Sequence, residues 1–161
     1  MKLFQTLVEK QMIKEWACHL DWILSTSFFE NKEIWSKGSV STFTKKLKCL
    51  LECKDKSFVH KGNPSFPDVK DKRRRPKNPV IIMSSTESEG RDFLRHLRNG
   101  IAHGSASIYN VSTGLFLEIT DYKDDTHKKQ TAYFAIKADS FLRITALYKE
   151  IEKTRRSKLK R

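Results

Sequence analysis

The sequence predicts a mainly all-α fold, a helical bundle with a β-hairpin or three-stranded insertion before its last helix. Three observations predict it. Apolar residues recur at helical spacing in the N-terminal third, again after residue 86, and once more near the C-terminus. The pattern switches to strict alternation only between residues 106 and 137. A chain of 161 residues is the size of one domain and can bury a core without disulfides or a structural metal.

The elements follow in order. From Leu3 to about Trp35 one apolar stripe (Phe4, Leu7, Val8, Met12, Trp16, Leu20, Ile23, Leu24, Phe28) predicts a long first helix. Lys37-Gly38-Ser39 is expected to break it, and a second helix to open near Ser41 with Phe43, Leu47, Leu50 and Leu51 facing inward. Residues 54–79 hold all four prolines (Pro64, Pro67, Pro76, Pro79) among many cations, which predicts a long basic loop. Val80 to Met83 reads as a brief strand or extended segment. Thr86-Glu87-Ser88-Glu89 is a capping box, so a helix starts there, runs through Phe93, Leu94, Leu97 and Ile101, and stops at His103-Gly104. Leu115, Leu117 and Ile119 then alternate with polar or outward positions, as do Ala132, Phe134 and Ile136. Lys123 to Lys128 forms the turn between them, and Ser107 to Val111 adds a third strand. A final helix from Ala138 to Thr154 carries Phe141, Leu142, Ile144, Leu147, Tyr148 and Ile151. The expected layout is one domain over residues 1–155, with the β insertion at 106–137 and a basic tail at 156–161.

The net charge of +13 favours a polyanionic partner, and nucleic acid and anionic membrane both fit it. No apolar run approaches the roughly 18 residues of a membrane span. Residues 1–16 lack the apolar core of a leader peptide. Three cysteines (Cys18, Cys49, Cys53) are an odd number that argues against a disulfide framework, so a cytoplasmic protein with reduced thiols is expected. Cys49 and Cys53 with Cys18-His19 do not have the tight spacing of structural zinc ligands, so no metal site is expected. Glycine-rich phosphate loops, paired catalytic carboxylates and a Ser-His-Asp order are missing from the sequence.

The chemistry concentrates in Arg98-Asn99-Gly100-Ile101-Ala102-His103-Gly104. A fixed cation suited to phosphate, a carboxamide and an imidazole able to move a proton fall within seven residues. Cations in a helix's last turn with Gly just beyond are also how a helix simply ends. The spacing is cheap: Arg91 to His96, with Asp92 after the Arg, repeats it in the same helix. Gly100 needs a reason, because Ala there would favour the helix by about 1 kcal/mol; close approach of a neighbouring backbone is one. In a regular helix Arg98 and His103 point about 140° apart and lie about 7.5 Å apart along the axis, so they do not easily meet on one phosphate. Either the helix frays between Gly100 and Gly104, or a second copy supplies the complementary group at a close crossing over Gly100.

This stretch resembles the R-x4-6-H motif of the HEPN superfamily, in which a polar residue follows the Arg; the long first helix and the hairpin before the last helix resemble its layout. The resemblance implies metal-independent endoribonuclease activity in a homodimer, common in toxin–antitoxin and phage-defence systems. The 2′-OH of RNA would attack the adjacent phosphorus, giving a 2′,3′-cyclic phosphate. Arg98 would neutralise the developing charge, Asn99 would orient Arg, His or phosphate, and His103 would serve as base or acid. The other reading is a non-catalytic HEPN-like module that binds RNA or a protein. His96, near the same helical face, reads as a second proton-transfer group or as lining for an RNA groove. Lys72, Arg73, Arg74, Arg75 and Lys77 in the basic loop read as a strap that follows phosphates. Expected partners are RNA (tRNA or other single-stranded or loop RNA), a second copy of the chain and an antitoxin protein, with no membrane and no cofactor.

Overall fold

A computed structural model describes residues 37–52, 57–68, 74–86, 89–123 and 129–159. The expected helix over Leu3–Trp35, with Cys18 and His19, lies outside these residues, as do Cys53, Lys72, Arg73, Glu87, Ser88 and residues 124–128. The described elements run α1 (Lys37–Leu50), β1 (Phe58–Lys61), β2 (Val80–Ser84), α2 (Glu89–Ala102), β3 (Ala106–Val111), β4 (Gly114–Tyr122), β5 (Gln130–Lys137) and α3 (Ala138–Leu159).

The fold is mixed α/β, which corrects the expectation of a mainly all-α bundle. Its centre is a five-stranded sheet in the order β1-β2-β5-β4-β3, with β1 and β2 parallel and the other neighbours antiparallel. The reason is visible in β4 and β5. Residues on both of their faces are buried, with Phe116, Ile119, Phe134, Ala135 and Ile136 all fully enclosed. A hairpin covered on both faces is a sheet centre, not an appendage. The two strands beyond the expected three-stranded insertion, β1 and β2, come from before α2. β2 is the expected short run Val80–Met83, while β1 lies inside the segment predicted to be a basic loop. A four-residue strand on an edge is too short to show a period.

One face of the sheet carries the helices. Leu47 and Leu51 within and just after α1, Phe93, Leu94 and Leu97 of α2, and Phe141, Ile144 and Leu147 of α3 meet Ile81, Met83, Leu117, Ile119, Phe134 and Ile136 in one core. Phe93 and Phe134 pack with ring centroids 5.0 Å apart. The other face is a smaller cluster of Tyr109, Phe116, Tyr133 and Ala135, covered by Phe66 from the β1–β2 connection.

Two helix bounds differ from expectation. Lys37-Gly38-Ser39 lies inside α1 instead of breaking the chain. Position 38 is a weak helix former, but its cost of about 1 kcal/mol is within what the packed residues later in the helix outweigh. At the other end α3 continues to Leu159, through residues expected in the basic tail. Arg, Lys and Leu are good helix formers, and cations suit a helix C-terminus.

Candidate active site

α2 positions the motif. Its apolar side seats Phe93, Leu94 and Leu97 against the sheet, and Gly100 completes that contact. A Cβ on Gly100 would sit 2.4 Å from Ile119 Cγ2 and 2.9 Å from the Thr120 carbonyl oxygen. The glycine is therefore required where α2 crosses β4 of its own chain. This corrects the expectation that Gly100 serves the crossing of a second copy.

The helix then ends in a fully bonded stop. Gly104 takes the left-handed conformation at φ 68°. Its N–H donates to Ile101 O at 3.0 Å, and Ser105 N–H donates to Gly100 O at 2.8 Å, the paired bonds of a Schellman motif. Ser105 O in turn accepts from Thr120 N–H at 3.0 Å, so the chain enters β3 already tied to β4. His103 N–H still donates to Asn99 O at 2.9 Å, so the helix does not fray over Gly100 to His103. Arg98 and His103 keep the divergence of a regular helix, about 140°. Arg98 Nη1 donates to Asn99 Oδ1 at 3.1 Å, both side chains being part-exposed, while His103 is exposed. Asn99 is thus a hydrogen-bond partner of the Arg98 guanidinium.

His96 has a different fate. It is 1% exposed, and its Nδ1–H donates to the buried Asp121 Oδ2 at 2.6 Å. Its Nε2 lies 3.1 Å from Arg95 Nη2 and 3.4 Å from the Ser84 carbonyl oxygen. An imidazole enclosed in this way does not line a surface groove, so the structure moves His96 away from the RNA contact expected of it. The second Arg–His spacing in α2, Arg91 to His96, therefore ends inside the protein.

The basic loop is partly anchored. Arg75 Nη2 donates to Glu118 Oε2 at 2.8 Å, and its guanidinium lies 4.9 Å from the Tyr109 ring centroid. Glu118 is 5% exposed and also accepts from Ser107 Oγ at 3.0 Å and from Tyr133 OH at 2.9 Å. Tyr109 OH donates to Pro76 O at 2.9 Å and Thr113 Oγ1 to Lys77 O at 2.6 Å. Burial, then the Glu118 carboxylate, pushes both the Tyr109 and Tyr133 phenols well above their ordinary range. Arg75 thus ties the connection to the face opposite the helices. Arg74 and Lys77 are exposed, and Lys72 and Arg73 lie outside the described residues.

A buried polar cluster escaped the sequence reading. Asp92, fully buried, accepts from His60 Nε2 at 2.8 Å, Thr86 N at 2.9 Å, Thr86 Oγ1 at 2.5 Å and Arg95 Nη2 at 2.7 Å. It joins β1, the β2–α2 connection and α2. The Asp92–Arg95 spacing of three residues is an ordinary helical ion-pair signal. His60 and Asp121 are distant in sequence, and nothing local marks them as partners. Thr86 is bonded to Asp92, and α2 is described from Glu89 onward, the intervening Glu87 and Ser88 lying outside the described residues.

Among the described residues no three His, Cys, Asp or Glu side chains converge as metal ligands. Nor is any described helix long and apolar enough to cross a membrane. No curated protein and no solved structure matches the chain. A family model described as HEPN pEK499 p136 matches residues 20–159. HEPN domains are nuclease or RNA-binding modules. That match spans the helix–sheet core and the whole of the Arg98–His103 stretch, and the chain belongs to the HEPN pEK499 p136 family.

Proposed function

We propose that this protein is a metal-independent endoribonuclease whose site is built from Arg98, Asn99 and His103. The observation that carries the reading is the contrast between the two Arg–His spacings of α2. One ends in a buried imidazole bonded to Asp121; the other ends in an exposed imidazole beside a guanidinium held by a carboxamide. Only the second can reach a macromolecular substrate.

In the reaction the ribose 2′-oxygen forms a bond to the adjacent phosphorus as the bond from phosphorus to the 5′-oxygen breaks. The 2′-OH proton passes to an imidazole acting as base, and the leaving 5′-oxygen takes a proton from an acid. Arg98 neutralises charge on the non-bridging oxygens. Because the helix stays regular, Arg98 and His103 of one copy face different ways. A homodimer resolves this, with one copy's His103 working beside the second copy's Arg98. Unrestrained RNA cutting arrests a cell, so the same reading makes the chain a toxin or phage-defence effector held in check by a neutralising protein.

The test is incubation with total RNA and tRNA in EDTA, beside Arg98→Ala and His103→Ala variants of unchanged melting temperature. Cleavage in EDTA that both substitutions abolish, leaving 2′,3′-cyclic phosphate ends, is the expected result. Cleavage that survives both, or that EDTA stops, refutes the mechanism. Salt-sensitive RNA binding without cleavage makes the chain a binding module instead.

A further inference from the structure

α2 places three arginines on its outward side. Arg91, Arg95 and Arg98 stand at i, i+4 and i+7, within an arc of about 60° and spread over about 10.5 Å of helix axis. All three are part-exposed, whereas Phe93, Leu94, Leu97 and Gly100 between them are buried. The core does not require this row, since its residues contribute nothing to the apolar face. The row ends at Asn99, which is bonded to Arg98.

Arg95, at the centre of the row, is held in place. Its Nη2 directs its two hydrogens to Asp92 Oδ1 at 2.7 Å and Thr86 Oγ1 at 2.8 Å, and lies 3.1 Å from His96 Nε2. Among the described residues none takes the donors on Nε and Nη1, and the side chain is 33% exposed. A guanidinium fixed at one nitrogen and open at two gives up little freedom on binding an anion. Asp92 does not repel that anion strongly. It is fully buried and turned inward, with donors from His60, Thr86 and Arg95 around it.

We infer that the outward face of α2 is a phosphate track: Arg95 and Arg91 hold the phosphates that neighbour the one at Arg98. The track takes one strand of single-stranded RNA. Three cations in a line match successive phosphates of one strand, and attack by a 2′-OH needs a nucleotide free to splay, which a duplex restrains. The inference rests on RNA being the substrate of Arg98 and His103.

The experiment uses the whole chain and a fluorescent single-stranded 2′-O-methyl RNA, which has no free 2′-OH and cannot be cut. Its dissociation constant is measured by anisotropy from 50 to 200 mM salt. Removing one arginine–phosphate pair lowers the log–log salt slope by about 0.7, so the 50-to-200 mM affinity ratio shrinks about 2.6-fold per arginine. That change is expected for Arg91→Gln and again for Arg95→Gln, while Lys45→Gln on α1, exposed and remote in sequence, leaves the slope as it is. Should Arg95→Gln not fold, because Arg95 braces Asp92, Arg91→Gln alone still decides. An unchanged slope in Arg91→Gln overturns the track, as does failure of the wild type to bind the strand or equal affinity for a duplex. RNA cleavage that depends on Arg98 and His103, with slopes indifferent to Arg91 and Arg95, overturns the track and leaves the ribonuclease standing. Arginine-dependent slopes without any cleavage of total RNA do the reverse.

Discussion

Replacing Gly100 by alanine separates two reasons for a glycine in mid-helix. If the position were open, the added methyl would raise stability by about 1 kcal/mol, the ordinary helical preference for Ala over Gly. The structure places that methyl 2.4 Å from Ile119 Cγ2 and 2.9 Å from the Thr120 carbonyl oxygen. Ile119 is fully buried and has no room to retreat, and the carbonyl belongs to the β4 backbone. Overpacking of this kind costs about 1–3 kcal/mol, and this crossing belongs at the upper end because neither neighbour is a flexible chain end. After the helical gain is subtracted, Gly100→Ala is expected to cost about 1–2 kcal/mol of stability. For a domain of this length that lowers the melting temperature by about 2–8 °C. Urea unfolding at two protein concentrations checks the free energy and shows whether association contributes. A variant as stable as the wild type or more so refutes the close crossing and returns Gly100 to an open surface.

Other outcomes follow from the buried polar groups and the helix stop. Asp121→Ala strands the His96 N–H without an acceptor inside the protein and is expected to cost about 2–3 kcal/mol, read as a lower urea midpoint. Because burial and Glu118 raise the Tyr109 and Tyr133 phenols, the folded state keeps them protonated where the unfolded chain ionises. Their contribution is complete below about pH 10 and disappears as pH rises above it. Stability measured across that range should fall with pH, less steeply in Tyr133→Phe; a flat profile contradicts the raised phenols. Gly104→Ala, at φ 68°, should destabilise by about 1–2 kcal/mol in thermal unfolding and Gly104→Asn by less, since Asn tolerates the left-handed region.

How much could be read from the sequence depended on how local each feature is. The stop of α2 at His103-Gly104, the β4–β5 hairpin and the start of α3 at Ala138 all follow from caps, alternation and polar turns, which are short-range signals. The sheet's dominance did not. It depends on β1 and β2 joining an edge of the hairpin across more than forty residues of sequence, as Ile81 pairs with Phe134. The same limit hid the polar cluster, because His60 and Asp92 meet only through the sheet, as do His96 and Asp121. Gly100 was noticed as anomalous from its neighbours, but its partner, Ile119, could be named only once α2 lay across β4.

The central sheet also alters how the Arg–His motif should be judged. α2 has a side committed to β4, and the same five-residue step from Arg to His lands differently according to phase. Starting at Arg91, the step ends at His96 on the committed side, where Asp121 and Arg95 lie against its two ring nitrogens. Starting at Arg98, seven residues later, it passes over Gly100 and ends at His103, where the helix has run off the sheet and turns at Gly104. Spacing is identical in the two cases, so spacing carries no information about which can act. What separates them is where each imidazole falls relative to the packed interface, and at Gly100 α2 touches β4 closely. An imidazole three residues beyond that point is exposed by construction, while its backbone is still held by the bond from His103 N to Asn99 O and by the Schellman stop. Exposure and rigidity together are what a proton-transfer group on a macromolecular substrate requires, and the earlier histidine has only the second.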